Sequence, residues 1–105
     1  MDKEIIKIMP DYGCFPLWII GKERVENIDP KQLSISKPLQ QLVLDWQKRF
    51  DPTLNKDNPL NSGFKSHSEE NSFDEDGKVI WQRLIAELGD LYVIKYFSIS
   101  KNQML

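Results

Sequence analysis

The residues in this sequence that could do chemistry are mostly carboxylates, and they cluster in one segment. Five acids fall within eight consecutive positions: Glu69, Glu70, Asp74, Glu75 and Asp76. Paired carboxylates act as general acid and base where an apolar setting raises the pKa of one of them, and the polar residues around this segment provide no such setting. A small hydrolase using Asp57, Glu69 and Asp74 is one alternative hypothesis, and it requires that their replacement abolish turnover.

Nucleophile and metal chemistry has few residues available. The chain has one histidine, His67, and one cysteine, Cys14. Neither lies in a known nucleophile motif, and a zinc site needs three or four such ligands. The sequence also lacks calcium-loop spacing and a glycine-rich phosphate loop. We therefore predict no catalytic residue, no metal and no cofactor, with His67 on an exposed loop and Cys14 buried as a small hydrophobe.

Charge is distributed unevenly along the chain. The total is −2, from 14 basic and 16 acidic residues, which argues against a general nucleic-acid binder. Residues 51–76 carry seven acids and two lysines, whereas the remainder carries nine acids and twelve bases. Acids in the first turn of a helix offset its dipole, and this accounts for the last three acids of the cluster. It leaves Glu69 and Glu70, before the predicted helix, unexplained.

The sharper interpretation is an acidic surface that docks a basic protein partner. Complementary charge speeds encounter between proteins, and aromatic anchors supply much of the binding energy. Phe64 and His67 precede the acids and could serve as such anchors. The partner-binding residues predicted on this basis are Asp57, Phe64, His67, Glu69, Glu70, Asp74, Glu75 and Asp76.

Three short apolar runs predict strands. Residues 4–9 and 17–20 are rich in isoleucine and stop at Pro10 and Gly21. Residues 91–97 form the strongest predicted strand. The second run could pair with the first as a hairpin or with the last strand, and the last strand is expected beside the first, which would join the chain ends.

Two helices follow from capping residues and apolar stripes. Ser36 is a plausible N-cap before a stripe that starts at Leu39 and ends before Asp51-Pro52. Ser72 and Glu75 form a capping-box pattern that predicts the start of the second helix. Its stripe runs from Phe73 to Leu88 and includes Gly77, where we expect close packing, and Gly89 is expected at the C′ position.

These elements predict one α+β domain over residues 1–105. The order is β-β-α-α-β, with a short antiparallel or mixed sheet packed against the two helices. Residues 51–71 are predicted as a long polar loop, and residues 98–105 are expected to fray. The three tryptophans are expected in the core, although they could instead line a small-ligand cavity; they are Trp18, Trp46 and Trp81.

Compartment is predicted from what the sequence lacks. A single cysteine excludes an internal disulfide, and Lys7 interrupts the apolar start that a signal peptide needs. No window approaches 18 apolar residues. We therefore predict a cytoplasmic protein that binds neither membrane nor nucleic acid directly.

Several turn and aromatic motifs give the chain a resemblance to a known group. They spread over residues 10–97 and comprise Pro10-Asp11-Tyr12-Gly13, Pro16-Leu17-Trp18, Phe50-Asp51, Leu54-Asn55, Ser62-Gly63-Phe64 and Glu87-Leu88. With these the chain resembles small bacterial immunity proteins of contact-dependent growth inhibition and other polymorphic toxin systems.

This resemblance implies a role and transfers no catalytic residues. It implies a protein that binds and neutralises the C-terminal domain of a cognate toxin. Many such toxins are nucleases, whose grip on phosphate requires basic residues, so an acidic protein could cover the active site. An adaptor domain that binds another protein, unrelated to any toxin, is the alternative.

Overall fold

A five-stranded mixed sheet with two helices on one face forms the α+β fold that the sequence predicts. The computed structural model describes residues 3–58 and 62–105. The strands are β1 (Glu4–Ile8), β2 (Leu17–Ile20), β3 (Val25–Asn27), β4 (Tyr92–Ser98) and β5 (Gln103–Met104). The helices are α1 (Lys37–Phe50) and α2 (His67–Leu88), with short 3-10 turns at Pro30–Gln32 and Asp51–Thr53.

The first strand lies at the centre of the sheet, whose order is β3-β2-β1-β4-β5. β1 pairs antiparallel with β2, where Ile6 is opposite Ile19, and parallel with β4, where Ile6 is opposite Ile94. Of the two pairings that the sequence leaves open for the second run, the hairpin with the first strand is the one that forms. The predicted pairing of the first and last apolar strands is confirmed. β3 and β5 were not predicted, because segments of three and two residues are too short to show an alternating pattern.

Strand alternation gives the sheet one face toward the helices and one open face. The inward set is buried and consists of Ile6, Ile8, Leu17, Ile19, Ile94, Tyr96 and Ser98. The open face, by the same registers, consists of Ile5, Lys7, Trp18, Ile20, Val25, Asn27, Val93, Lys95, Phe97 and Met104. Both helices pack on the opposite face, where the buried strand residues lie.

α1 begins and ends where the sequence predicts. Ser36 has extended backbone angles, and its Oγ accepts a hydrogen bond from the backbone N–H of Leu39. Leu39, Val43 and Trp46 are buried against the sheet and α2, whereas Leu42, at the margin of the stripe, is exposed.

α2 begins earlier than predicted, at His67, with Ser66 as its N-cap. Ser66 Oγ accepts a hydrogen bond from the backbone N–H of Glu69 at 3.1 Å. The spacing of Ser66 and Glu69 fits the capping-box pattern as well as that of Ser72 and Glu75 does. The predicted loop over residues 51–71 is therefore too long at its C-terminal end, and residues 59–61 within it lie outside the described residues. Gly89 is the C-cap residue and not the C′ residue, so α2 extends one residue further than predicted. Its backbone has right-handed α conformation.

The segment expected to fray, residues 98–105, contains β5. Phe97 pairs with Met104 and Ser98 with Gln103, so β5 covers the last two residues of β4. The backbone N–H of Leu105 also donates to Tyr96 O at 2.8 Å. Main-chain hydrogen bonds to β4 thus order a segment that has too few apolar residues to be predicted as a strand.

Close packing at Gly77 is confirmed. A Cβ at this position would collide with the Tyr96 hydroxyl and with Cζ2 of Trp46. Trp46 in turn stacks on Phe73, with ring centroids 4.3 Å apart, and its indole N–H donates to Phe73 O at 2.8 Å. The bare glycine lets α1, α2 and β4 meet at one point.

The other two tryptophans are half-buried, and each donates a hydrogen bond to a main-chain carbonyl. Trp18 Nε1 donates to Met9 O, and Trp81 Nε1 donates to Ile94 O, both at 3.0 Å. The Trp81 indole also stacks on Tyr96, with centroids 5.7 Å apart. Trp81 therefore covers the part of the β4 edge that β5 leaves unpaired.

Replacement of Gly77 by alanine should destabilise the protein. The added methyl group brings about 1 kcal/mol of helix propensity, but overpacking against Trp46 and Tyr96 costs about 1–3 kcal/mol. Urea unfolding should show a net loss for Gly77→Ala. Ser72→Ala, at an exposed position of the same helix, is the control and should change stability by less than about 0.5 kcal/mol. Equal stability of the two variants would contradict close packing at Gly77.

Replacement of Trp81 by phenylalanine should expose the β4 edge. The ring is retained, but Ile94 O loses its donor, which costs about 1 kcal/mol and leaves an edge open to strand pairing. Sedimentation velocity should show stronger concentration-dependent association than in the wild type. Trp18→Phe removes a similar hydrogen bond away from this edge and should not alter association. The same association in both variants would show that Trp81 does not protect the edge.

Candidate partner-binding site

The structure divides the predicted partner-binding residues into buried, ion-paired and free groups. All but two of them lie on the first half of α2, and Asp57 and Phe64 lie on the preceding segments. Their availability to a partner differs because α2 packs one of its faces against the sheet.

Asp74, predicted on the docking surface, is buried, so its carboxylate is not accessible to a partner in this structure. The residue is 2% exposed, and its carboxylate accepts hydrogen bonds from the hydroxyls of Tyr96, Ser98 and Ser100 at 2.6–2.8 Å. Lys78 Nζ lies 4.0 Å away. These groups join α2 to the end of β4 and the following turn, so Asp74 has a structural role.

Burial would raise the pKa of Asp74, but its partners reverse the effect. Hydrogen bonds from Tyr96, Ser100 and Ser98, together with the Lys78 charge, hold its pKa below the usual value. Burial and the adjacent Asp74 carboxylate raise the pKa of the Tyr96 hydroxyl. The pair is therefore an ionised carboxylate and a neutral phenol.

Asp76 and Glu75 are exposed but carry ion pairs. Asp76 pairs with Arg49 at the end of α1, and Glu75 Oε1 lies 3.3 Å from Lys78 Nζ. Both pairs are open to solvent, so each contributes little to stability and leaves its carboxylate accessible to a partner.

Glu69 and Glu70 lie in the first turn of α2, not before the helix as predicted. The helix dipole therefore offsets their charge as well, which removes one argument that favoured a docking role. Neither residue has an ion pair among those between described residues. His67 is exposed as predicted, but it is the first residue of α2 rather than part of a loop. Here the helix-start surface means Glu69, Glu70, Glu75 and Asp76.

Phe64 is a half-buried residue that packs on the core, not a free anchor. Its ring centroid lies 5.0 Å from that of Phe73 and 6.4 Å from that of Phe50. Phe50 in turn stacks on Tyr12 at 4.5 Å. This aromatic cluster fixes the segment before α2 against the end of α1.

Asp57 is exposed and Cys14 is half-buried. Asp57 is exposed, and its backbone N–H donates to Asn55 Oδ1 at 3.1 Å in a local turn. Cys14, predicted to be buried, is half-buried. Asp57 thus belongs to the loop and not to the helix-start surface.

A cleft of about 790 Å³ separates the end of α1 from the start of α2. Its walls include Leu54 and Phe64, and its charged residues are Arg49, Lys65 and Glu69. No sequence pattern predicts this cleft, because its two walls come from segments that become neighbours only when the helices pack. Its mixed charge can orient a partner side chain, but it holds no pair of carboxylates arranged for catalysis.

Within residues 3–58 and 62–105, no group of three or more His, Cys, Asp or Glu side chains could hold a metal ion. In the same ranges, no helix is both long and apolar enough to cross a membrane.

Comparison with known families identifies the class of protein. Residues 4–99 match the family described as Serratia CdiI immunity protein-like, from the start of β1 to the residue after β4. The chain belongs to this family and is therefore an immunity protein for a toxin of contact-dependent growth inhibition. A search of curated proteins found no match.

Replacement of Asp74 by asparagine should lower stability and change its pH dependence. The folded pKa of Asp74 lies below the unfolded value of about 3.9, so its stabilisation is complete above about pH 4 and is lost as pH falls through the folded pKa. Asp74→Asn should cost about 1–3 kcal/mol at neutral pH and flatten the acid limb of a melting-temperature profile. Glu75→Gln, on the next residue, is the control and should leave the profile nearly unchanged. An acid limb equally steep in Asp74→Asn would exclude Asp74 as its source.

Proposed function

We propose that this immunity protein neutralises the C-terminal domain of its cognate toxin in the cytoplasm by binding it through the helix-start surface. We further propose that the toxin is a basic nuclease. Carboxylates on the immunity protein would then occupy positions that substrate phosphates otherwise take, and inhibition would require no chemistry from the immunity protein itself.

The observation that carries this proposal is the exposure of Glu69 on one wall of the cleft. Asp76 lies seven residues later, two helical turns along the same side of α2, so both carboxylates share one flank. Glu70 and Glu75 extend the negative charge around the helix. The first turns of α2 rest on Phe73 and Asp74, which are buried, so these carboxylates are presented on a fixed backbone.

The interface must extend beyond four carboxylates. A standard interface buries about 800 Å² per partner, and the chain has 6802 Å² of accessible surface. The cleft supplies apolar area next to Glu69, through Leu54 and the exposed part of Phe64. Charge would guide the encounter, and contact with the cleft would slow dissociation.

Charge reversal on the helix-start surface should slow association with the toxin. The tagged chain is first co-expressed with the C-terminal region of the large open reading frame beside its gene, and complex formation and rescue of growth are scored. Glu69→Lys with Glu70→Lys should then reduce the association rate on the order of tenfold and flatten its salt dependence. Stopped-flow or biosensor kinetics over a salt series measures both.

A matched control separates this surface from net charge. Glu23→Lys with Asp90→Lys makes the same charge change at exposed positions away from the start of α2 and should alter the kinetics much less. Equal effects of the two double variants would place the interface elsewhere. No complex and no toxicity of the candidate toxin would overturn the proposed function itself.

A further inference from the structure

The open face of the sheet contains a groove that neither helix covers. The groove has a volume of about 420 Å³, with Ile5, Ile20, Phe97 and Met104 among its apolar lining residues. Val93, next to it on β4, is 44% exposed. A sheet normally buries one face and presents polar residues on the other, so an apolar groove on the solvent side indicates an interaction surface.

Two lysines give this groove a positive charge. Lys7 and Lys95 are Cα partners in the parallel register of β1 and β4, and both line the groove. Like charges at neighbouring positions on one sheet face are unfavourable. Neither lysine has an ion pair among those between described residues, and the open face as defined by the strand registers contains no carboxylate.

The positive charge of Lys7 and Lys95 favours an acidic partner in the groove over a second copy of this chain. A second copy of this chain placed face to face about a two-fold axis would bring these lysines toward their own copies, which opposes association. A partner segment with carboxylates set among apolar side chains would satisfy both the ammonium groups and the apolar groove.

One end of the groove, at Phe97, lies at the end of the sheet where α2 is bonded to β4. Phe97, in the groove, precedes Ser98, whose hydroxyl donates to the Asp74 carboxylate on α2 at 2.8 Å. Glu75 and Asp76 follow Asp74 directly.

We propose that the open face is a second docking surface, on which an acidic, apolar segment of the cognate toxin binds between Lys7 and Lys95. The inference rests on the toxin partner of the proposed function. The toxin is then recognised at two surfaces of opposite charge, which discriminates against non-cognate toxins that match only one of them.

Lysine footprinting of the native complex tests this directly. The protein, free and bound to the toxin domain, is treated with an acetylating N-hydroxysuccinimide ester, and modification is quantified by mass spectrometry. Lys7 and Lys95 should be protected about tenfold or more in the complex, as expected for amines buried in an interface. Lys31 and Lys37, exposed on the helix side of the molecule, should react equally in both samples.

Variants measure the contribution of charge. Lys7→Glu with Lys95→Glu should weaken toxin affinity on the order of tenfold or more, because it places like charges together in the interface. Lys31→Glu with Lys37→Glu makes the same charge change and should have little effect. Lys7→Met with Lys95→Met keeps the apolar stems and should reduce the salt dependence of binding. Thermal unfolding of each variant confirms that it folds.

The outcomes separate the two proposals. Protection of both lysines, with loss of affinity only in the groove variants, supports the second surface. Toxin binding with unprotected lysines and unchanged affinity overturns it and leaves the proposed function intact. Failure of the wild-type chain to bind the toxin overturns the proposed function and, with it, the toxin as occupant of the groove.

Discussion

The carboxylate of Asp74 is the constraint on which much of the structure depends. A buried charge costs several kcal/mol unless it is fully hydrogen-bonded, so Tyr96, Ser98 and Ser100 must keep their positions around it. Those residues belong to the end of β4 and the turn that leads to β5. The same contacts set how far α2 extends beyond the sheet, and they therefore determine where the acids before and after Asp74 meet solvent.

An element is predictable from this sequence where a capping residue and an apolar stripe agree, and is not where such local signals are duplicated or absent. α1 has one capping serine and one stripe, and its bounds were predicted. α2 has two spacings that fit a capping box, and its first turns carry no apolar stripe, so the local pattern favours the later serine. The acidic neighbours of Asp74 predict a surface position for it. Yet Gly77 and Trp81 follow Asp74 by three and seven residues, and this helical spacing puts Asp74 at the border of the buried face. The cleft and the open-face groove depend on tertiary contacts, which no local pattern reveals.

Two surfaces of the molecule carry opposite charge. Negative charge lies on the helix layer, around the start of α2, while the open face of the sheet carries two lysines in register. An overall charge of −2 conceals this difference, because net charge sums the charges of both faces of the molecule. For an immunity protein, two unlike surfaces give more ways to distinguish related toxins than one acidic patch does.

The parallel pairing of β1 with β4 determines when, during its synthesis, the chain can fold and protect against the toxin. Ile5 and Val93 are partners in the centre of the sheet although 88 positions separate them in sequence, and such distant contacts slow folding. During synthesis the isoleucines of β1 have no strand on that side until β4 has left the ribosome. A nascent chain that stops within α2 lacks the centre of its sheet and the partners of Asp74, so we expect it to give no immunity. Protection therefore cannot begin before β4 has been synthesised and has paired with β1.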